Sequence, residues 1–153
     1  MMATPTPAAT LLRAILDLRI EFDILTEKVA KATGVNPRDL GVLDVLHSQG
    51  ASTPKELATR TGIHPATLTA ILIRLERADR VTRNTNPADS RSTRIAITSA
   101  TVKELDGHFA TVNHALQTRM NNLTETAQLT IAQFLHDVGR ITREYPDNTT
   151  TAG

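Results

Sequence analysis

The side chains of this chain that could do chemistry are imidazoles and guanidiniums. Its five histidines, His47, His64, His108, His114 and His136, are scattered, and no HExxH, phosphate-loop or GxSxG pattern surrounds them. Cysteine is absent, which removes disulfides, thiolate zinc sites and thiol redox chemistry. His108 and His114 lie six residues apart and so do not share a helical face. An approach of His47 to His108 is the one arrangement left that could make a metal-responsive site. No catalytic residue is nominated, no metal or other cofactor is expected, and the chain reads as a non-enzyme.

The arginines form a pattern. Between Thr53 and Arg94 stand Lys55, Arg60, Arg74, Arg77, Arg80, Arg83, Arg91 and Arg94, against Glu56, Glu76, Asp79 and Asp89. This centre carries an excess of four positive charges in a chain whose net charge is +1, so its flanks are acidic. Such asymmetry suits a module that meets a polyanion. The densest part, "NTNPADSRSTR" (84–94), directly follows Arg83 and threads two more arginines, Arg91 and Arg94, among turn formers and one acid, Asp89.

Those residues need elements to hold them. With 153 residues, 40% apolar content and only 3% aromatics, the chain is about one domain with an aliphatic, mainly helical core. Leu11, Ile15, Leu18, Phe22, Leu25 and Val29 alternate in steps of four and three, a heptad seam over about 10–32 that stops at Gly34. Asn36 and Pro37 open a second helix ending at Gly50, and Ala51–Ser52 is a short extended piece. Thr53, Pro54 and Glu56 form a capping box for a short third helix ending at Gly62. His64 and Pro65 start the next, about 64–78, with Leu68, Ile71, Leu72 and Leu75 as its buried stripe. A short helix, a turn with glycine and a second helix make a helix-turn-helix.

After Asp79 the period changes to alternation. Val81–Arg83 and Arg94–Thr98 read as two strands, so that "NTNPADSRSTR" becomes a hairpin tip with Asn84, Asn86 and Pro87 as turn chemistry. The expected fold class is mainly α with a small β-hairpin wing: a winged helix-turn-helix over 35–98, with the wing at about 81–98. Val102, Leu105, Phe109, Val112, Leu116, Met120 and Leu123 form a second seam. A final helix near Glu125–Arg143 carries Leu129, Ile131, Phe134, Leu135, Val138 and Ile141. The helices of 10–34 and 99–144 could pack on the module within one chain. The expectation preferred here is that they join two copies into a homodimer. Residues 1–9 are expected to be disordered and 145–153 to be a flexible tail. The N-terminus lacks the features of a secretion signal, and no apolar run approaches the ~18 residues of a membrane span, so the expected setting is the cytoplasm.

In this order of elements the chain resembles the MarR family of bacterial transcription regulators from about Leu11 to Arg143. The resemblance is most specific through "STPKELATRTGIHPATLTAILIRLERADRVTR" and "NPADSRSTRIAIT". The family's D-x-R wing signature is matched by Asp89 and Arg91, and its Leu/Ile-Thr entry to the following helix by Ile97 and Thr98. Two departures are Ala70, where members often have arginine, and Asp79-Arg80, where they often have Gly-Leu. The resemblance implies a homodimeric DNA-binding repressor, sometimes an activator. It also implies release by a small aromatic or phenolic effector held between the dimerising helices and the winged module.

For double-stranded DNA with a pseudo-palindromic operator, the face opposite the buried stripe offers Ala66, Thr67, Thr69 and Ala70, with His64 at the start, for base contacts. This small, methyl-rich surface suits an A·T-rich site. Arg91 is expected to enter the minor groove, with Asp89 orienting its guanidinium. Lys55, Arg60, Arg74, Arg77, Arg83 and Arg94 are the phosphate or wing candidates. Phe22, His47 and Phe109 are nominated as walls of the effector pocket. The alternative to a DNA reader is a winged-helix module used for protein contacts.

Overall fold

In the computed structural model the backbone is described for residues 5–86 and 89–145, and the side chains of 86–92 lie outside the described residues. The elements follow as α1 (Pro7–Thr33), α2 (Pro37–Gln49), α3 (Pro54–Thr61), α4 (Pro65–Arg77), β1 (Val81–Asn86), β2 (Asp89–Ile97), α5 (Ser99–Asn121) and α6 (Glu125–Arg143). Proline opens each of the first four helices, and the preceding side chain, Thr6, Asn36, Thr53 or His64, accepts a backbone N–H of the first turn. Proline has no N–H to leave orphaned there, and the cap satisfies one that would be. This logic starts α1 earlier than the hydrophobic seam does. Thr6 Oγ1 accepts from Ala9 N at 3.2 Å, so residues 7–9, expected to be disordered, form a helical turn. The rest of the expected 1–9 segment up to Thr4, and the tail after Tyr145, are outside the described residues.

The chain divides into two compact units, Met1–His108 and Phe109–Gly153. The core of the first is aliphatic. Leu40, Leu43 and Leu46 of α2, Leu57 of α3, Leu68, Ile71, Leu72 and Leu75 of α4, Val81 and Ile95 of the hairpin, and Leu105 of α5 are buried, joined by Val29 and Ala30 at the end of α1. The four α4 residues are the stripe expected from spacing. Further back on α1 the same seam is open to solvent, with Leu11, Leu18 and Phe22 all exposed.

β1 and β2 pair antiparallel in the register Val81↔Ile97, Arg83↔Ile95 and Thr85↔Thr93, with an irregularity between Thr85 and Asn86. The strands are longer than expected. Asn84 and Asn86, assigned to the turn, continue β1, because cross-strand pairing overrides their weak strand preference. Pro87 lies outside the described residues. A two-stranded hairpin is marginal by itself, and here it is anchored from the helical side. Ser52 and Ile95 exchange both backbone hydrogen bonds, at 3.0 and 2.8 Å. Full burial of Ile95 contributes about 2 kcal/mol. The extended piece after α2 is thus a third, one-residue edge of the sheet.

In the second unit, Thr124 caps α6 by accepting from Ala127 N at 3.2 Å. Gln128 Nε2 donates to the Met120 and Leu123 carbonyls at the end of α5. No α6 residue is buried, and Leu129 and Ile141 are 65% and 62% exposed. None of the helices among the described residues is long and apolar enough to cross a membrane.

Candidate nucleic-acid interface

The helix-turn-helix is built by three local devices. Thr53 Oγ1 accepts from Glu56 N at 3.2 Å while the Glu56 carboxylate accepts from Thr53 N at 2.7 Å, closing the capping box that starts α3. Those hydrogen bonds from Thr53 hold the Glu56 carboxyl below its ordinary range. At the other end Thr61 Oγ1 donates to the Leu57 carbonyl at 2.7 Å, and Gly62 takes the left-handed conformation at φ 65°. A side chain at Gly62 would strain that turn. Buried Ile63 then pins the turn, and His64 Nδ1 accepts from Ala66 N at 3.4 Å to begin α4.

With its stripe buried, α4 turns Ala66, Thr67, Thr69, Ala70, Ile73 and Arg77 to solvent. Thr69 Oγ1 donates to the Pro65 carbonyl at 2.9 Å, so its hydroxyl hydrogen is used within the helix and its lone pairs face outward. Thr67 and His64 are exposed at the same end.

The candidate phosphate contacts separate into different situations. Lys55 on α3 and Arg77 at the end of α4 are exposed. Arg60 Nη1 lies 3.4 Å from Ser52 Oγ. Arg83 Nε donates to Glu76 at 2.9 Å, linking β1 to α4, and Arg94 donates to the Ala51 carbonyl at the wing root. Arg74 is held most firmly: Nε and Nη2 donate to the two carboxylate oxygens of Asp39 at 3.1 and 2.7 Å. Asp39 is buried, and its hydrogen bonds and charge raise the Arg74 pKa further. That bidentate bond ties α4 to α2. Nothing in the sequence announced it, since the partners are 35 residues apart and Asp39 also reads as a first-turn acid.

Asp89 and Arg91 lie at the start of β2, Asp89 pairing with Asn86 beside the tip. Their side chains, and so the expected orienting contact, are outside the described residues. Asp79 does adopt the left-handed conformation, at φ 52°, that a glycine would supply after α4. Arg80, the second residue of that departure, donates to Glu104 and to the Thr33 carbonyl.

Of the nominated effector-pocket residues, Phe22 is 51% exposed on α1. His47 Nε2 is 3.0 Å from Asp106 Oδ1 on α5. Phe109, half-buried, opens the second unit. Among the described residues no three His, Cys, Asp or Glu side chains gather as a metal site would require.

A profile of the MarR family matches residues 35–93. YcgE of Bacillus subtilis (strain 168), an HTH-type transcriptional regulator, is 30% identical over 118 residues, which cover 77% of this chain and 77% of that one. Among solved structures, NadR in complex with 4-hydroxyphenylacetate aligns with a TM-score of 0.67 at 19% identity, over 95% of this chain and 100% of that one. Apo MarR from E. coli aligns with a TM-score of 0.59 at 23% identity, over 90% of this chain and 98% of that one.

Proposed function

The chain belongs to the MarR family of transcription regulators, and we propose that it works as a homodimeric repressor of a pseudo-palindromic, A·T-rich operator, released by a small aromatic or phenolic ligand. As a member of that family it is a winged-helix DNA-binding regulator, not an enzyme. The observation that carries the finer reading is the division of α4 into a fully buried stripe and an exposed face of Ala66, Thr67, Thr69 and Ala70. Methyl groups suit the thymine methyl, and Thr67 and Thr69 can hydrogen-bond base edges, Thr69 as an acceptor. No asparagine, glutamine or arginine stands among those first turns of α4 for bidentate contact with adenine or guanine. Lys55, Arg60 and Arg77 are assigned to phosphates, with Arg83 and Arg94 at the wing and Arg91, oriented by Asp89, in the minor groove.

Support for the dimer comes from apolar residues left exposed at both ends of the chain: Leu11, Leu18 and Phe22 on α1, Leu116 and Met120 on α5, and Leu129, Phe134 and Leu135 on α6. An isolated soluble chain seldom leaves so extended an apolar surface in water. The effector class rests on the fold shared with NadR, whose structure holds 4-hydroxyphenylacetate. Selection of bound sites from random duplexes tests the reading. The expected consensus is two A·T-rich half-sites about one helical turn apart; a G·C-rich or unpaired consensus overturns it. On the selected duplex, Arg91→Ala should weaken binding at least tenfold, about 1.4 kcal/mol, with the thermal melt unchanged. Unaltered affinity removes Arg91 from the interface.

A further inference from the structure

Helix α4 ends in a chain reversal that gathers the root of the wing, the end of α1 and the start of α5. After Arg77, Asp79 N donates to the Glu76 carbonyl at 3.1 Å and Arg80 N to the Leu75 carbonyl at 2.8 Å, with Asp79 left-handed between them. Thr98, which follows β2, donates its N–H to the Arg80 carbonyl and its hydroxyl to the Asp79 carbonyl, both at 3.0 Å. The same hydroxyl oxygen accepts from Thr101 N in the first turn of α5. The Arg80 side chain, only 18% exposed, reaches the Glu104 carboxylate on α5 and, at 3.0 Å, the carbonyl of Thr33, the last residue of α1. The end of α4 and the root of the wing therefore meet at the backbone of Asp79 and Arg80, and the Arg80 guanidinium ties that corner to the end of α1 and the start of α5.

We propose that Arg80 is a positioning residue for DNA binding: it fixes the tilt of α4 and the wing against α1 and α5, and so sets the half-site spacing the protein accepts. This rests on the homodimeric reading above, in which α1 and α5 carry the partner. The lever is long enough to matter. Thirteen residues make α4 about 20 Å long. A tilt of about 10° at its C-terminal end then moves its N-terminal end by about 3.4 Å, one base-pair rise. Two-fold symmetry repeats the displacement in the partner, so the preferred spacing changes by about two base pairs. Hydrogen bonds involving charged groups are directional and short in range, whereas a leucine in this place would keep the apolar stem and lose both bonds, to Glu104 and to the Thr33 carbonyl.

Titration of the full-length protein against its selected operator, with the spacer shortened and lengthened by one and two base pairs, tests this. The wild type is expected to show one sharp optimum. Arg80→Leu should move or flatten it, Glu104→Gln should do so less, and Arg80→Lys, which keeps a donor, should restore part of it. Arg80→Leu that keeps the wild-type optimum, with affinity unchanged or lowered equally at every spacer, overturns the proposal and leaves Arg80 a plain scaffold contact. If Arg80→Leu does not fold, Glu104→Gln carries the test, and an unshifted optimum there overturns it. A wild type without any spacing optimum sinks the dimer reading itself, and this inference with it.

Discussion

Arginine residues of one local cluster have different roles, and burial of the partner decides which. Asp39 is buried at the first turn of α2, and an unpaired carboxylate there would be costly, so Arg74 is held on it although its own side chain is largely exposed. Arg77, three residues on, meets no buried acid among the described residues and stays exposed. The gathering of basic residues between Thr53 and Arg94 was legible; which of them would face an internal acid was not, because that depends on a residue 35 positions away. Asp44 shows the same dependence on environment. Burial pushes its carboxyl above the ordinary value of 3.8, more strongly than nearby His47 pulls it down. Because the folded value is the higher one, stability is greatest below the ordinary value and is lost as pH rises through the raised one. Asp44→Asn is therefore expected to melt at a higher temperature than wild type at pH 7, with the difference shrinking toward pH 3.5. A gap that stays constant across that range would contradict this account.

At the scale of elements, the starts of helices were the most legible feature of the chain. Asn36, Thr53 and His64 were each identifiable from a capping residue followed by proline, and each accepts the expected N–H. Thr6 obeys the same rule, but the hydrophobic seam begins later, and so the start of α1 was placed at Thr10. The wing was under-read for the opposite reason: Asn84 to Asn86 favour turns locally, and only pairing with Asp89–Arg94 makes them strand. The short α3 depends on its box more than a long helix would, since nucleation dominates a helix of 8 residues. Thr53→Ala should cost about 1 kcal/mol, read as a lower urea midpoint at unchanged slope. Since α3 supports the turn before α4, DNA affinity should fall with it. Full stability in the variant would show that packing of Leu57 alone holds the helix.

For the whole molecule the distribution of exposed apolar surface is the guide. The first unit closes its core around α2, α3, α4 and the hairpin, while α1 and α6 keep leucines, isoleucines and Phe134 in solvent. If those faces join two copies, a charge placed among them should separate the protomers. Leu135→Glu on α6 is expected to reduce the mass seen by light scattering from two chains to one. Operator affinity should fall at least tenfold because one reading head then binds alone, while helical content is kept. A wild-type protein that is already a single chain at micromolar concentration would end the dimeric reading.

Hydrophobic periods, capping residues and the wing's charge pattern are local properties, so the sequence by itself determined the number of helices, the buried stripe of α4 and the presence of a helix-turn-helix with a hairpin. Pairing is not local. That Arg74 belongs to Asp39, that Ser52 extends the sheet through Ile95, and that Arg80 turns inward to Glu104 and the end of α1 were decided by tertiary structure. A guanidinium in the sequence fits phosphate, water or an internal acid equally well, and only the packed chain selects among them by what it brings within hydrogen-bonding reach.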